Sequence, residues 1–362
     1  MSTADAAKTA LADRPATAAP PPLSRDWVVR LGAASVRVRR RPFVVGSIAL
    51  LVLVVAGVTS LLIGTVSFTP AELLAVFQGD ATPAETRTIM GRRLPRLLTA
   101  ILVGACLAQS GAVFQSISRN PLGSPDIIGF TTGAATAAVI QIVLFGGGVL
   151  DTAIAAILGG IGTALLVYLL ARRDGISGGI RLVLVGIGAG SLLSSITSLL
   201  VVRADIRDAT EVQLWSSGSL TGRAWPHVFA LLVVSLVLLP ALTALVRRVA
   251  LVEMGDDISQ GIGVDVERTR FLSMVVAVTL ASVATAAAGP IAFVAFAAPH
   301  IVRRLAHAPG PQVWLSGLVG ALLLAAADLL SQNLEVGVRT PVGLVTSLLG
   351  GFYLVWLLAR RV

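Results

Sequence analysis

Long stretches without Asp, Glu, Lys or Arg dominate the chain and alternate with short polar segments. An α-helix rises about 1.5 Å per residue, and the hydrocarbon core of a bilayer is about 30 Å thick, so roughly 20 apolar residues can cross it. These stretches therefore predict membrane-spanning helices. They are 43–71, 97–118, 127–150, 152–171, 182–202, 224–246, 271–302, 305–327 and 340–359.

The stretch 271–302 is too long for one ordinary span. In its middle, Gly289-Pro290 combines a flexible residue with one that lacks a backbone N–H, which favours a helix break. Division at this point predicts an all-α membrane protein with ten transmembrane helices. Their predicted positions are 43–65, 97–117, 127–148, 152–171, 181–202, 227–246, 271–288, 290–302, 312–331 and 341–359.

The basic residues favour a topology with the N- and C-termini in the cytoplasm, because Lys and Arg concentrate in cytoplasmic loops. Ten spans place most of the 28 basic residues inside, including Arg303, Arg304, Arg360 and Arg361. With nine spans those four would lie outside. A multi-pass location in a bacterial plasma membrane thus accounts for the net charge of +9. The sequence offers no continuous basic face of the kind that binds nucleic acid.

The composition is that of a membrane protein and narrows the chemistry. Hydrophobic residues make up 55% and charged residues 13%, with a mean hydropathy of +0.87. The sole lysine is Lys8, so the phosphate-binding lysine of a P-loop ATPase has no counterpart. The three histidines lack metalloenzyme spacing. We expect neither a bound cofactor or metal nor enzymatic activity in this chain.

The predicted spans contain few of the ionisable groups that a proton- or sodium-coupled carrier needs. Asp328, near the outer end of the ninth predicted span, is the clear candidate. It is either a coupling site or, as we favour, a helix-end carboxylate paired with a nearby arginine or hydroxyl group.

Residues 1–41 are predicted to form a basic cytoplasmic tail in front of a permease domain of residues 42–362. Residues 1–24 are rich in Ala, Pro and Thr and are expected to be disordered. Apolar residues then recur at helical spacing among arginines, which predicts a helix lying on the inner membrane surface. These apolar residues are Trp27, Leu31, Ala34 and Val38.

The segment 249–270 is the largest polar connection on the predicted cytoplasmic side. Residues with capping preferences predict two short helices along the membrane surface. Asp256 or Asp257 is predicted to begin the first helix, and Gly261 and Gly263 to end it. Asp265 is predicted to begin the second helix. A connection of this length is either a plain linker or, as we favour, a docking site for a cytoplasmic partner.

Seven short segments at predicted helix ends form a specific pattern together, although none would suffice alone. They are 93–96 (RLPR), 104–115 (GACLAQSGAVFQ), 119–129 (RNPLGSPDIIG), 215–220 (WSSGSL), 254–264 (MGDDISQGIGV), 288–303 (AGPIAFV, later PHIVR) and 341–346 (PVGLVT). In this order, over about residues 43–360, they resemble the FecCD family of ATP-binding-cassette (ABC) importers, permeases for iron chelates and cobalamin.

The resemblance implies a type II ABC importer permease fold, with two identical or paralogous permease subunits around a central path. It also implies cytoplasmic ATPase subunits, which bind ATP and Mg²⁺ and dock on the segment 249–270. An extracytoplasmic substrate-binding lipoprotein would deliver the substrate. The residues that the resemblance assigns to ATPase coupling are Gly255, Asp256, Asp257, Gly261, Gly263 and Val264.

Two further sites follow from the resemblance. Arg93 and Arg96 would bind carboxylates of the binding protein, since guanidinium groups pair well with carboxylates. A further family arginine is replaced here by Gln332, and Arg339 is the candidate to compensate for it. The inner gate is assigned to the beginning of the fifth span, where the residues are Ser177, Gly178, Gly179 and Ile180.

We therefore expect a permease subunit that forms the translocation path for an iron(III)-siderophore. Cobalamin and haem are the alternative substrates within the same family. An ion-coupled secondary transporter is the alternative mechanism, and it predicts uptake that needs no ATPase.

Overall fold

Helices occupy every region for which the charge-free stretches predict them. The computed structural model describes residues 27–31, 34–146, 148–172, 179–333 and 340–359. Its helices are α1 (Arg40–Leu62), α2 (Pro70–Gln78), α3 (Pro83–Thr88), α4 (Leu94–Ile117), α5 (Phe130–Phe145), α6 (Val149–Ala171), α7 (Gly179–Arg203), α8 (Ile206–Ser216), α9 (Trp225–Val252), α10 (Asp256–Gly261), α11 (Val266–Ala288), α12 (Val294–Ala306), α13 (Val313–Asn333) and α14 (Val342–Ala359). A π-helical turn, Ile89–Arg93, joins α3 to α4.

Seven of the described helical units are long and apolar enough to cross a membrane: α1, the continuous unit of α3 and α4, α6, α7, α9, α11 and α13. The apolar helices α5 and α14 are shorter. The 13 residues of α12 rise only about 20 Å, which is less than a bilayer core. The helical fold is thus confirmed, while ten crossings and two cytoplasmic termini stay predictions.

The predicted break at Gly289-Pro290 is confirmed. α11 ends at Ala288, and Gly289 follows with φ of 74°. A Cβ atom at Gly289 would lie 2.4 Å from the carbonyl oxygen of Trp215, so a larger residue does not fit. α12 begins at Val294, beyond the break.

Residues 27–38 differ from the prediction. They form an antiparallel hairpin of β1 (Trp27–Leu31) and β2 (Ala34–Val38), in which Trp27 pairs with Val38. The predicted interfacial helix is therefore wrong for this segment. Its valines favour an extended backbone because two branches at Cβ restrict the side chain in a helix. The predicted disordered tail, residues 1–24, lies outside the described residues.

The core is built around α4, which packs against α9, α11, α12 and α13. Small residues let these helices approach closely. A Cβ atom at Gly111 of α4 would lie 1.7 Å from the carbonyl oxygen of Ala295, so the backbones of α4 and α12 touch at this point. α4 therefore holds α12 in place beside the break at Gly289.

α7 is the least covered of the membrane-length helices. Only 11% of its apolar window is buried, against 78% for the unit that contains α4. Large apolar side chains such as Leu184, Leu192 and Leu199 are exposed on it. This surface requires lipid or another protein to cover it.

Candidate functional site

The segment between α9 and α11 contains one short helix, α10, and the capped start of α11. Gly255, with φ of 122°, precedes α10, so neither Asp256 nor Asp257 is the N-cap residue that the sequence predicts. Both carboxylates lie instead in the first turn of α10, where negative charge is favoured. The predicted cap at Asp265 is confirmed, since its side chain accepts a hydrogen bond from the N–H of Arg268 at 3.0 Å.

Asp256 belongs to an internal ionic cluster. Its Oδ1 accepts a hydrogen bond from Nη2 of Arg270 at 2.7 Å and lies 3.4 Å from Nη2 of Arg119. Nη1 of Arg270 also donates to Glu267 at 3.1 Å. The Arg270 side chain is 5% exposed, so its charge is neutralised inside the protein. Asp256 therefore ties α10 to α11 and to the end of α4.

The outward surface of α10 is different in character. Asp257 is exposed, as are the large apolar residues Met254, Ile258 and Ile262. Gly261 and Gly263 are exposed as well, and Val264 is half-buried. Of the residues predicted to couple to an ATPase, Asp257, Gly261 and Gly263 are therefore exposed, and Gly255, Asp256 and Val264 are half-buried.

A second ion pair lies next to this cluster. Nη2 of Arg303, on α12, donates to Oε1 of Glu253 at 3.0 Å and to the hydroxyl group of Ser116 at 3.2 Å. This pair and Arg119 line the same polar cavity of about 380 Å³. The ends of α4, α9 and α12 are thereby linked by charge on one side of the molecule.

The predicted docking arginine Arg93 is bonded within the chain. Its Nη1 donates to the carbonyl oxygen of Leu61 at 2.6 Å, and its Nη2 donates to the carbonyl oxygen of Val66. Its guanidinium group lies 4.9 Å from the centre of the Phe68 ring, a cation–π contact. Arg93 thus fastens the chain after α1 to the start of α4.

Arg96 forms a salt bridge with Asp328 of α13. Nη2 of Arg96 lies 2.8 Å from Oδ1 of Asp328, and Nε lies 3.0 Å from Oδ2. Gln332 donates to the same carboxylate at 2.9 Å. The Asp328 side chain is only 3% exposed, so this carboxylate is paired, as the sequence favoured. Arg339 lies outside the described residues.

Two arginines near these sites are exposed and were not singled out from the sequence. Arg87 and Arg92 lie in the last turn of α3 and in the π-helical turn. Neither side chain forms an ion pair or hydrogen bond with the part of the chain that the structure describes. The sequence could not predict which of these arginines are exposed, because Arg87, Arg92, Arg93 and Arg96 lie close together in it.

The gate residues are only partly described. Ser177 and Gly178 lie outside the described residues, while Gly179 is the first residue of α7 and Ile180 is exposed. Further along α7, a cavity of about 500 Å³ lies among α5, α7, α14 and the break at Gly289. Hydroxyl side chains and Asp126 line it.

The family model of the FecCD transport family matches residues 51–360. The chain belongs to this family. It is 45% identical over 85% of its length to the ferric enterobactin transport system permease protein FepG of Escherichia coli, of which it covers 93%. It is 34% identical over 88% of its length to the iron(3+)-hydroxamate import system permease protein FhuG of Bacillus subtilis, of which it covers 98%.

A solved structure has the same fold. It is described as an inward-facing conformation of a putative metal-chelate type ABC transporter, and its TM-score with this chain is 0.79 at 30% sequence identity. The match covers 89% of this chain and 100% of the solved one. Members of the FecCD family are transport components.

Proposed function

We propose that this chain is the permease subunit of an ABC importer and forms the translocation path for an iron(III)-siderophore. The observation that carries this proposal is the extensive identity to FepG, which spans nearly the whole of both chains. The matched relatives named for ferric enterobactin and for iron(3+)-hydroxamate support an iron chelate ahead of cobalamin or haem. A bacterial plasma membrane, crossed ten times with both ends inside, completes the proposal.

ATP binding and hydrolysis take place on separate ATPase subunits, which dock on α10. The exposed side of α10 combines apolar residues with Asp257, a mixture typical of protein interfaces. Asp256 and Arg270 hold that surface in position from behind. ATP and Mg²⁺ belong to the partner.

A second permease subunit, identical or paralogous, covers α7. A membrane-length helix that its own chain leaves almost uncovered can be covered by a protein partner or by lipid. Several hydroxyl groups recur along α7, among them Ser191, Ser195 and Ser198, and an aqueous path between two subunits accommodates them better than lipid does. The gate assigned to residues 177–180 lies at the beginning of this helix.

The substrate-binding lipoprotein docks on the outer arginines. Arg93 and Arg96 position the start of α4 through their internal bonds, and Arg96 keeps part of its surface exposed. Exposed Arg92 and Arg87 present free guanidinium groups beside them. We expect carboxylates of the binding protein to pair first with Arg92, and Arg339 remains a further candidate.

The importer function is tested by reconstituting the chain with its ATPase in proteoliposomes and supplying the loaded binding protein. We expect ATP-dependent uptake of radioactive iron chelate that stops when the ATPase is omitted. Uptake without the ATPase that follows an ion gradient would instead establish a secondary transporter. ATP-dependent uptake of cobalamin or haem but of no siderophore would correct the substrate.

The outer contacts are tested by charge reversal. Arg92→Glu should weaken the binding protein's affinity, and more so at low salt, because surface charges are less screened there. Arg203→Glu, at the exposed end of α7, is the matched control for a lost outer charge. Equal affinities for the two variants and the wild type would remove Arg92 from the interface.

A further inference from the structure

The polar cavity beside α7 lies where four helix ends meet. These are the start of α5, the end of α8, the break between α11 and α12, and the start of α14. Gly129, directly before α5, lies against Gly186 and Gly190, so α5 begins about 10 Å along α7. The cavity is therefore at membrane depth, where non-helical backbone is tolerated only inside protein or against water.

Backbone contacts fix the walls of the cavity. The N–H of Gly343 donates to the carbonyl oxygen of Gly218 at 3.1 Å, and the N–H of Ser219 donates to that of Ala288 at 2.8 Å. These two bonds join the chain after the end of α8 to the start of α14 and to the end of α11. The cavity is thus preformed, with a volume of about 500 Å³ that is within the range of roughly 300–1,000 Å³ typical of ligand pockets.

Hydroxyl groups cover much of the wall, and at least three of them act as acceptors. Ser198, Ser217 and Ser347 each donate to a carbonyl oxygen one turn earlier in their own helix, at 3.0, 2.7 and 2.8 Å. A hydroxyl group that has used its hydrogen can only accept from a ligand. The hydroxyl residues of the lining are Thr131, Thr132, Ser194, Thr197, Ser198, Ser216, Ser217 and Ser347.

Asp126 adds a negative charge to this acceptor wall. The side chain of Thr131 and the backbone N–H of Phe293 lie close to its carboxylate. Its Oδ2 is buried and has no hydrogen-bond partner among the described residues. None of the described lining residues is a lysine, arginine or histidine. A carboxylate beside the cavity favours ligand groups that carry hydrogen-bond donors over groups that carry negative charge.

We propose that this cavity is a subsite of the translocation path that takes the hydrogen-bond-donor face of the iron chelate. The serine and threonine oxygens accept from amide N–H or hydroxyl groups of the chelate's backbone, and the Asp126 carboxylate beside them adds the negative charge that favours such donors. The anionic oxygens that hold the iron are repelled by the carboxylate and face away from it. This inference rests on the proposed function as a chelate permease.

The test compares a neutral ferric trihydroxamate on a peptide backbone with its N-methylated analogue, which lacks the amide donors. Binding of both, labelled with radioactive iron, is measured by flow dialysis on the purified permease with its ATPase. For the wild type we expect the N–H chelate to bind about ten-fold more tightly, equal to about 1.4 kcal/mol. Asp126→Ala should abolish this preference, and Asp126→Asn, which keeps a neutral acceptor, should retain part of it.

Asp151→Asn is the matched control, because it removes an exposed carboxylate outside the cavity and should leave the preference intact. If Asp126→Ala fails to assemble with the ATPase, Ser347→Ala decides, with an expected loss of about three-fold. Equal binding of the two chelates by the wild type, or an unchanged preference in the cavity variants, would overturn the subsite.

ATP-driven uptake by the wild-type complex separates the two proposals. If the wild type and the cavity variants take up iron chelates equally well, the subsite is refuted and the importer function stands. A wild-type complex that takes up no iron chelate with ATP would remove the importer function and the subsite with it.

Discussion

The adjacent carboxylates Asp256 and Asp257 should respond differently to substitution by alanine. Asp256 bonds Arg270 at 2.7 Å and faces Arg119 at 3.4 Å, whereas Asp257 is exposed. Asp256→Ala removes an acceptor from a buried guanidinium group and should loosen the contact between α10 and α11. Asp257→Ala should leave the fold unchanged and weaken only the association with the ATPase.

The size of the destabilisation in Asp256→Ala depends on the partners that Arg270 retains. Removing the sole partner of a buried charge costs about 3–5 kcal/mol, but Arg270 retains Glu267 at 3.1 Å. A hydrogen bond to a charged group contributes about 1.5–3 kcal/mol, and the partial exposure of Asp256 lowers its share. We therefore expect a loss of about 2 kcal/mol in the local stability of α10, or about 30-fold faster amide exchange.

Hydrogen exchange read by mass spectrometry on peptides of residues 252–266 measures this directly. Asp257→Ala is the matched control, since it loses only a first-turn charge, which contributes about 0.3–1 kcal/mol at a helix N-terminus. Its exchange should rise by less than about five-fold. Equal acceleration in the two variants would refute the internal role of Asp256, as would loss of ATPase binding in Asp256→Ala without faster exchange.

Three further predictions concern packing, the outer salt bridge and pH. Gly111→Ala should prevent folded protein from accumulating, because a Cβ atom there would lie 1.7 Å from a carbonyl oxygen. Gly162→Ala, with open space around the added Cβ atom, should express normally. Size-exclusion profiles compare the two variants. Arg96→Ala should cost about 3 kcal/mol, because it leaves Asp328 buried without its cation, and Arg96→Ala with Asp328→Ala should recover part of the loss in thermal unfolding. The backbone hydrogen bond from Thr69 lowers the pKa of Glu72. The capping box of α2 therefore stabilises that helix at pH values above the unfolded-state pKa of Glu72. This contribution is lost as the pH falls through the folded-state pKa. Hydrogen exchange of α2, corrected for intrinsic pH effects, should show this loss in the wild type and not in Glu72→Gln.

The helices could be predicted from the sequence because lipid leaves the backbone few alternatives. A segment in the hydrocarbon core must satisfy its own N–H and C=O groups, so charge-free stretches of sufficient length become helices. The same reasoning located the break at Gly289-Pro290. The hairpin of residues 27–38 lies outside such a stretch, where helical spacing of apolar residues and the β preference of valine compete without that constraint.

The site residues were harder to predict because their partners are remote in the chain. Arg96 and Asp328 are 232 residues apart, so the sequence favoured an arginine or hydroxyl partner for Asp328 without identifying Arg96, which it assigned to docking. Asp256 read as a helix cap and a docking residue, and only the fold places Arg270 and Arg119 against it. Asp126 belongs to the segment 119–129, which carried the family resemblance without marking this carboxylate for a role of its own.

The segment 118–129 connects the two ends of the proposed mechanism. Arg119 at one end contacts Asp256 of α10, and Asp126 near the other end lines the cavity. Consecutive turns hold the segment between them: the N–H of Gly123 donates to Asn120 at 2.9 Å, and that of Phe130 donates to Pro125 at 3.0 Å. These bonds restrain the backbone between Arg119 and Asp126. If an ATPase displaces α10, as we propose, the displacement acts on Arg119 and, through this short bonded segment, on the carboxylate beside the proposed chelate subsite.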